Sequence, residues 1–399
     1  MHGYTEYTIK QIGVFEKSYS FSRASEGNGN FKHIHYGDIH TNLPAVINNS
    51  NILPPITEEG VFVTVGYGDI LVADASEDYK DLGKAVCYLD ETDTSVISGL
   101  HTIRIKFKKD KVVPEYLINV FQTNRYRKFV WRMGTGVSVL GLSKSNLANF
   151  PIFLPSLDVQ KKVASYFIQL NKKIKLQQEK IYWLKEQKKG FIQKIFSLEL
   201  RFKKNDLGSF FPNWEERYLN EVSDVRDGTH DSPKYYPSGY PLITSKNLNS
   251  NGTLNNNNLN YISKEDFEKV NKRSLVEDND ILFGMIGTIG NPVKVTHPNF
   301  AIKNVALIKD NSDNFNNFLI HFLNSSHIEK QFNLLLAGGT QKFIGLNDIR
   351  NLKVLVPCKE EQEKISKFLS LLDKKIFLQE QILNSYKQQK RALIQQMFI

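Results

Sequence analysis

The sequence has only two cysteines, no long apolar run and no secretion signal. Cys87 and Cys358 are far apart in the chain of 399 residues, so we expect neither a disulfide framework nor a zinc site. No stretch approaches the roughly 20 apolar residues that a membrane-spanning helix needs. The segment after Met1 lacks the basic region and the apolar core of a signal peptide. We therefore expect a cytoplasmic chain without a membrane attachment.

Signatures of common enzyme classes are also missing. The sequence contains no Gly-x-x-x-x-Gly-Lys-Ser/Thr loop, and the glycine-rich segment 284–290 lacks the Lys-Ser/Thr ending of such a loop. The nine histidines include no His-Glu-x-x-His or His-x-x-x-His cluster. We predict no catalytic residue and no metal site in this chain.

Basic residues are in excess, with a net charge of +10. This balance favours a polyanionic partner, either nucleic acid or an anionic membrane surface, although a merely basic soluble protein has the same composition. The excess is concentrated in two segments. Residues 158–196 contain ten lysines against three acids, and residues 360–398 contain seven lysines or arginines against five acids.

These two basic segments are copies of each other. Residues 149–196 align with residues 351–398 at an offset of 202 without a gap, and 16 of the 48 positions are identical. A match of this length indicates an internal duplication.

Each copy has the pattern of a long coiled-coil helix. Its seam positions alternate in spacings of four and three over more than four heptads, which favours a coiled coil over a helix that packs only on its own domain. The polar residues Gln177 and Lys188 interrupt the first seam, and Gln379 and Lys390 interrupt the second at matching positions. Polar seam residues can fix register. We predict that the two helices pair with each other and that these four residues select one register.

The segments outside the helices are also related, but more distantly. Residues 68–71 align with 279–282, and residues 139–142 align with 343–346, in the same chain order. Short β-type runs alternate with amphipathic helical stretches in both segments. We predict an α+β fold with two mixed domains, 1–155 and 201–357, separated by two long helices, 156–200 and 358–399, in a pseudo-two-fold repeat.

Polar loops in these two domains supply candidate DNA contacts. Reading base edges requires side chains with paired donors and acceptors, and the two domains differ most in such loops. Unlike readers on a repeated scaffold would recognise a split, asymmetric site. An ordinary polar surface is the alternative for each single residue. The candidates are Arg23, His35, Tyr36, Arg132, Thr135, Ser138, Arg226, Thr229, His230, Ser245, Lys246, Asn247, Lys303, Asn304, Thr340, Gln341 and Lys342.

Several motifs resemble those of the specificity subunits of type I restriction-modification enzymes. They are Pro155, Gln160 and Phe196 with their copies Pro357, Gln362 and Phe398, the opening 227–233 of the second domain, and the segments 280–283 and 287–290. The resemblance implies two target-recognition domains that read a bipartite DNA site and are joined by antiparallel spacer helices. It also implies assembly with two methyltransferase subunits and two restriction subunits. S-adenosylmethionine, ATP and magnesium would belong to those partners.

The predicted function is therefore non-catalytic, sequence-specific recognition of double-stranded DNA. The main alternative is a coiled-coil scaffold whose two domains bind proteins instead of DNA.

Overall fold

The computed structural model describes residues 3–204, 208–311, 315–336 and 343–398. It contains two compact units, Met1–Gln178 with Gln381–Ile399, and Glu179–Glu380. Both long helices are divided between the units, so each unit combines one globular part with one half of each helix. These units do not end at 155, 200 or 357. The predicted boundaries at those residues divide the sequence into segments and stay a prediction. No helix in the described ranges is long and apolar enough to cross a membrane.

The globular part of the first unit consists of strands β1 to β12 and short helices α1 to α5. The strands are β1 (Thr5–Thr8), β2 (Gly13–Glu16), β3 (Glu26–Ile34), β4 (Val46–Ile47), β5 (Pro55–Ile56), β6 (Ile70–Ala73), β7 (Ala75–Ser76), β8 (Ala85–Tyr88), β9 (Val96–Ser98), β10 (Thr102–Phe107), β11 (Leu140–Gly141) and β12 (Pro151–Leu154). The helices are α1 (Ile9–Ile12), α2 (Tyr36–Thr41), α3 (Pro114–Val120), α4 (Asn124–Met133) and α5 (Lys144–Ala148).

The main sheet of the first unit has the strand order β2-β10-β6-β8-β4. Its strands carry runs of β-branched and other apolar residues, and Ile70, Val72, Ile103 and Ile105 are fully buried in the core. A second sheet has the order β5-β3-β9, in which β3 and β9 run parallel. Strand β1 pairs with β12, so the first strand of the globule lies beside the strand that leads into the long helix.

Helix α6 (Leu157–Phe196) follows, and the second globular part comes after it. The strands of this part are β13 (Glu215–Tyr218), β14 (Val225–Asp227), β15 (Tyr240–Ile243), β16 (Asn260–Ile262), β17 (Ile281–Gly284), β18 (Gly290–Lys294), β19 (Ala301–Ile302), β20 (Val305–Ile308) and β21 (Lys353–Val356). The helices are α7 (Leu219–Val222), α8 (Lys264–Ser274), α9 (Phe315–Phe322), α10 (Ser326–Leu336), α11 (Leu346–Arg350) and the long α12 (Lys359–Met397).

The two globular parts share one topology. The order β14-β20-β17-β18 in the second unit repeats β2-β10-β6-β8 of the first, and the parallel pair β15 and β19 repeats β3 and β9. Strands β13 and β21 pair as β1 and β12 do. The predicted α+β fold with an internal repeat is thereby confirmed.

Both long helices begin in the same way. A proline precedes each helix, and the side-chain amide of Gln160 donates to the carbonyl of Pro155 at 2.9 Å. Its copy Gln362 donates to the carbonyl of Pro357 at 2.8 Å. Acidic residues occupy the first turn of both helices, where they suit the positive end of the helix dipole.

Each helix turns its heptad seam inward. All ten predicted seam positions of each helix are buried or half-buried, which confirms the coiled-coil pattern. In the second unit, Lys185 Nζ lies 2.7 Å from Glu380 Oε1, Lys188 contacts Asp373, and the rings of Phe191 and Phe368 are 5.1 Å apart. As residue numbers rise along α6, the numbers of the residues that they contact on α12 fall. The two helices are therefore antiparallel in the second unit. In the first unit, the two helices also contact each other, with the rings of Phe167 and Phe398 5.5 Å apart.

The four polar seam residues are half-buried. Lys188 is paired with Asp373, with Nζ 2.5 Å from Oδ1. Burial lowers the pKa of Lys390 from its ordinary value. Gln177 and Gln379 also make contacts at their seam positions. Selection of a single register by these four residues remains a prediction.

Candidate nucleic-acid interface

Three of the predicted loops of the second unit meet beside the strand pair β15 and β19. The segment after β14 approaches β19 so closely that a Cβ on Gly228 would lie 2.3 Å from the carbonyl oxygen of Ile302, so only glycine fits there. The backbone N–H of Thr229 donates to that carbonyl at 3.0 Å, and the N–H of Lys303 donates to the carbonyl of Ile243 at 2.8 Å. The candidate segments 226–230, 245–247 and 303–304 therefore form one surface.

Both ring nitrogens of His230, on this surface, lie within hydrogen-bonding distance of oxygen atoms. Its Nε2 lies 2.8 Å from Oδ2 of Asp227, and its Nδ1 lies 2.8 Å from Oδ1 of Asn304. Asp227 is buried and also pairs with Arg273 of α8, which was not among the sequence-based candidates. The hydrogen bonds to Asn304 and Asp227 raise the pKa of His230 above its usual value.

The remaining candidates of this surface differ in what they present to a ligand. Lys246 is exposed, whereas Ser245 and Asn247 are buried. Ser245 Oγ donates to the carbonyl of Asn304 at 3.1 Å, and the Asn247 amide bonds to Thr244 and to the carbonyl of Asn255, so both side chains hold the turn together.

Basic candidates on the same surface have local partners. Lys303 Nζ donates to Ser232 Oγ at 2.7 Å, and Arg226 pairs with Asp224 at 2.7 Å. Thr229 Oγ1 accepts from the backbone N–H of Asp231 at 3.1 Å. The predicted residues Thr340, Gln341 and Lys342 lie outside the described residues.

A cavity of about 450 Å³ adjoins His230. It lies between the loop 229–233 and one side of helix α8. Lys269 and Arg273 line it together with Asp231 and Asp266, so cationic and anionic groups are mixed there. The residues of α8 that line the cavity were not predicted from the sequence, because their charges have the spacing of an ordinary solvated helix.

In the first unit, the candidates Arg23, His35 and Tyr36 lie around the start of helix α2. Arg23 pairs with Asp38 at 2.9 Å and remains largely exposed. His35 is buried and caps the helix, because its Nδ1 accepts the backbone N–H of Gly37 at 3.1 Å. Burial lowers the pKa of His35, so this residue is a neutral cap and presents little surface to a ligand. Tyr36 is half-buried beside it.

His101 is a surface residue of the first unit that sequence reasoning missed. It directly precedes β10, as Asn304 directly precedes β20, and both residues have a left-handed backbone with φ of 52°. Its Nδ1 lies 3.1 Å from Oδ1 of Asp74, and its ring stands edge-on to Tyr36 with centroids 5.3 Å apart. The position of His101 could have identified it as a candidate, because it comes immediately before β10, as Asn304 comes immediately before the matching strand β20.

The other candidates of the first unit lie in the last turn of α4, which contains Arg132, and on the loop between α4 and β11. Arg132, Thr135 and Ser138 are exposed there. The loop closes through two backbone bonds between Thr135 and Gly141, of 3.0 and 2.7 Å. Gly136, with φ of 131°, approaches the carbonyl of Val139 too closely for any side chain. Asp74 connects this loop to His101, because its carbonyl accepts the N–H of Leu142 and its N–H donates to the carbonyl of His101.

The architecture is shared with solved structures. One is the S subunit of a type I restriction-modification system from M. genitalium, with a TM-score of 0.57 and 14% identity over 100% of this chain and 96% of that one. Another comes from work on complex assembly and conformational transition of a type I R-M system, with a TM-score of 0.60 and 15% identity over 99% of this chain and 97% of that one. These similarities establish the fold.

Sequence comparison identifies the family. The family model described as type I restriction modification DNA specificity domain matches residues 1–186 and 212–388. The chain belongs to this family. A Methanocaldococcus jannaschii protein named as the MjaX specificity subunit of a type I restriction enzyme is 24% identical over 77% of this chain and 72% of its own length. Family membership confirms the resemblance and the predicted role in DNA sequence specificity, and it gives the scaffold alternative no support.

Proposed function

We propose that this specificity subunit binds double-stranded DNA and reads a bipartite, asymmetric site, with one half-site contacted by each unit. The observation that carries the proposal is the pair His101 and Asn304. They occupy the same left-handed turn of the same fold, yet they offer different donors and acceptors. Two equal readers would recognise a palindrome, whereas these two units differ at the matched position.

The surroundings of both residues support direct contact with base edges. Each residue directly precedes a central strand of its unit, and hydrogen bonds to Asp74 in one unit and His230 in the other hold the side chain in place. A preorganised polar side chain on a rigid element reads bases better than a mobile one, because less conformational freedom is lost on binding. Exposed Arg23, Arg132 and Lys246 are suited to phosphate contacts, which position the protein but carry no sequence information.

Mapping of methylated adenines in cells with and without the gene tests this proposal. The expected result is a split motif that is methylated only when the gene is present. A motif that persists without the gene would contradict the proposal. Purified protein should also bind duplex DNA with an affinity that falls steeply with salt, because phosphate contacts release counterions. Absence of DNA binding, even with a methyltransferase subunit added, would favour a protein-binding scaffold.

We also propose that the chain is non-catalytic and works in the cytoplasm with two methyltransferase and two restriction subunits. S-adenosylmethionine, ATP and magnesium would then bind to those partners. The long helices in the second unit support such an assembly, because Tyr182, Trp183 and Phe377 are large apolar residues with more than half of their surface exposed. The rings of Tyr182 and Trp183 lie 5.4 Å apart, and exposed aromatic residues of this kind mark protein-binding surfaces.

A further inference from the structure

Both ring nitrogens of His230 face oxygen atoms. Nδ1 lies 2.8 Å from Asn304 Oδ1, and Nε2 lies 2.8 Å from Asp227 Oδ2. A neutral imidazole has one N–H and can donate only one hydrogen bond, whereas the imidazolium donates two. The arrangement therefore matches the protonated ring.

Neither partner is free to move away when the ring loses its proton. Asp227 is buried and is also bound by Arg273. The backbone of Asn304 is fixed in its left-handed turn, because its N–H donates to the carbonyl of Thr229 at 3.2 Å and its carbonyl accepts from Ser245 Oγ at 3.1 Å. Rotation of the Asn304 amide by about half a turn is the adjustment that remains, since its NH₂ group can then donate to the unprotonated Nδ1.

We infer that His230 is a positioning residue for DNA reading, whose protonation state sets which end of the Asn304 amide faces the ligand. This inference rests on the proposed function and makes the second unit a pH-dependent reader. With His230 protonated, the amide presents its NH₂ group, which suits acceptors such as purine N7, guanine O6 or thymine O4. With His230 neutral, the amide presents its oxygen, which suits the amino groups of adenine or cytosine.

The groups around His230 favour its protonated form. The hydrogen bonds of His230 to Asn304 and Asp227 raise its pKa, and the positive charge of Arg273 on α8 lowers it. Two lysines near the ring are bound to other groups. Lys269 lies 3.5 Å from Asp231, and Lys303 is bound to Ser232. Asp266, on the same face of α8, adds one carboxylate to the cavity. The ring therefore loses its proton at a higher pH than an ordinary histidine does.

Selection of duplexes from a random-sequence pool by the full chain, at pH 6.0 and at pH 8.5 with equal ionic strength, tests the inference. One base position in one half-site should change between the two pools, while the other half-site stays the same. Each pool's sequence should bind about fivefold more tightly at its own pH, the lower range of what one base contact contributes. In His230→Gln the selected half-site should be the same at both pH values.

His297→Gln is the matched control. His297 belongs to the same unit, is 95% exposed and lies 3.9 Å from Asp278, so it also pairs loosely with an aspartate. This variant should keep the pH-dependent change. Loss of the change in His297→Gln as well would overturn the inference.

The two proposals fail in different ways. A wild-type chain that selects one and the same bipartite sequence at both pH values overturns the role of His230 and leaves the proposed function standing. A chain that selects no sequence at either pH overturns both. An NMR titration of ¹³C-labelled histidine gives a second readout without DNA. Asn304→Ala should lower the pKa of His230, and an unchanged pKa in a folded variant would overturn the inference.

Discussion

Lys188 and Asp373 form an ion pair between the two long helices of the second unit, with Nζ 2.5 Å from Oδ1. The repeat offset relates them to Lys390 and Asn171, both of which belong to the first unit. The two copies therefore share the lysine, but the first has an asparagine where the second has an aspartate. The same holds for Glu380, whose counterpart is Gln178.

Replacing Asn171 with aspartate should recreate the missing ion pair. We expect the free energy of unfolding to rise by about 0.3–1 kcal/mol, the usual contribution of a partly exposed pair. The pKa of Lys390, which burial lowers, should rise at the same time. Urea unfolding of the variant measures the first effect. The double variant Asn171→Asp with Lys390→Gln is the control, and an equal gain there would show that the ion pair is not its source.

Acid should destabilise the second unit through His321. Burial, with smaller effects of Lys188 and Lys294, lowers the pKa of His321 to about 3. The unfolded chain binds this proton near pH 6.5 and the folded chain does not, so stability falls as pH drops below 6.5 by about 1.4 kcal/mol per pH unit. Between pH 7 and pH 5 the wild type should lose about 2 kcal/mol more than His321→Gln. Urea midpoints at both pH values test this, and equal losses in the two proteins would refute it.

Asp69 and Arg104 form a buried ion pair in the first unit, with Nε donating to Oδ2 at 2.7 Å and both side chains at most 4% exposed. Asp69→Asn should cost about 3–5 kcal/mol, because it leaves the arginine charge buried without compensation. Asp110→Asn, at a side chain 72% exposed, should change stability little and serves as the control. Thermal unfolding compares the variants. The double variant Asp69→Leu with Arg104→Met should recover part of the loss, and no recovery would contradict this account.

His101→Ala and Asn304→Ala should each alter recognition in one half-site only. Losing one base contact costs about 1–3 kcal/mol of discrimination, so one position of the methylated motif should become degenerate. Methylation mapping in cells that carry each variant makes the comparison, and each variant is the control for the other. Degeneracy in the same half-site for both would mean that the units do not read separate halves.

Trp183→Gln should weaken binding to the methyltransferase subunit without destabilising the chain. Its side chain is 64% exposed, so little packing is lost, whereas an aromatic contact at the centre of an interface is worth 2 kcal/mol or more. Isothermal titration with purified methyltransferase should show a loss of about tenfold or more. Glu186→Gln, at an exposed position one turn further along α6, should bind normally. Equal affinity of Trp183→Gln and the wild type would exclude this surface.

The long helices were predictable because their signal is periodic. Ten seam positions in each copy repeat the same spacing, and burial of that seam follows from helix geometry whatever the loops do. The common fold of the two globular parts was predictable for a related reason, since aligned strands such as β6 and β17 keep their order in the chain.

The fate of individual polar side chains was harder to predict. Ser245 and Asn247 were selected as base contacts, yet they support a turn. His35 was selected for the same purpose and caps a helix. A polar residue in a loop can bond to neighbouring backbone as readily as to a ligand, and the choice depends on contacts far away in the sequence. Arg273 was missed because its partner, Asp227, is 46 residues away.

The acidic residues that are present in only one of the two long helices predict how a half-length chain would associate. A chain of residues 201–399 carries Asp373 and Glu380 together with Lys387 and Lys390 on one helix. Two such chains in the same antiparallel register would form these pairs in duplicate. A chain of residues 1–200 would instead set Lys185 and Lys188 against Gln178 and Asn171. We therefore expect residues 201–399 to associate with a second copy more tightly than residues 1–200 do.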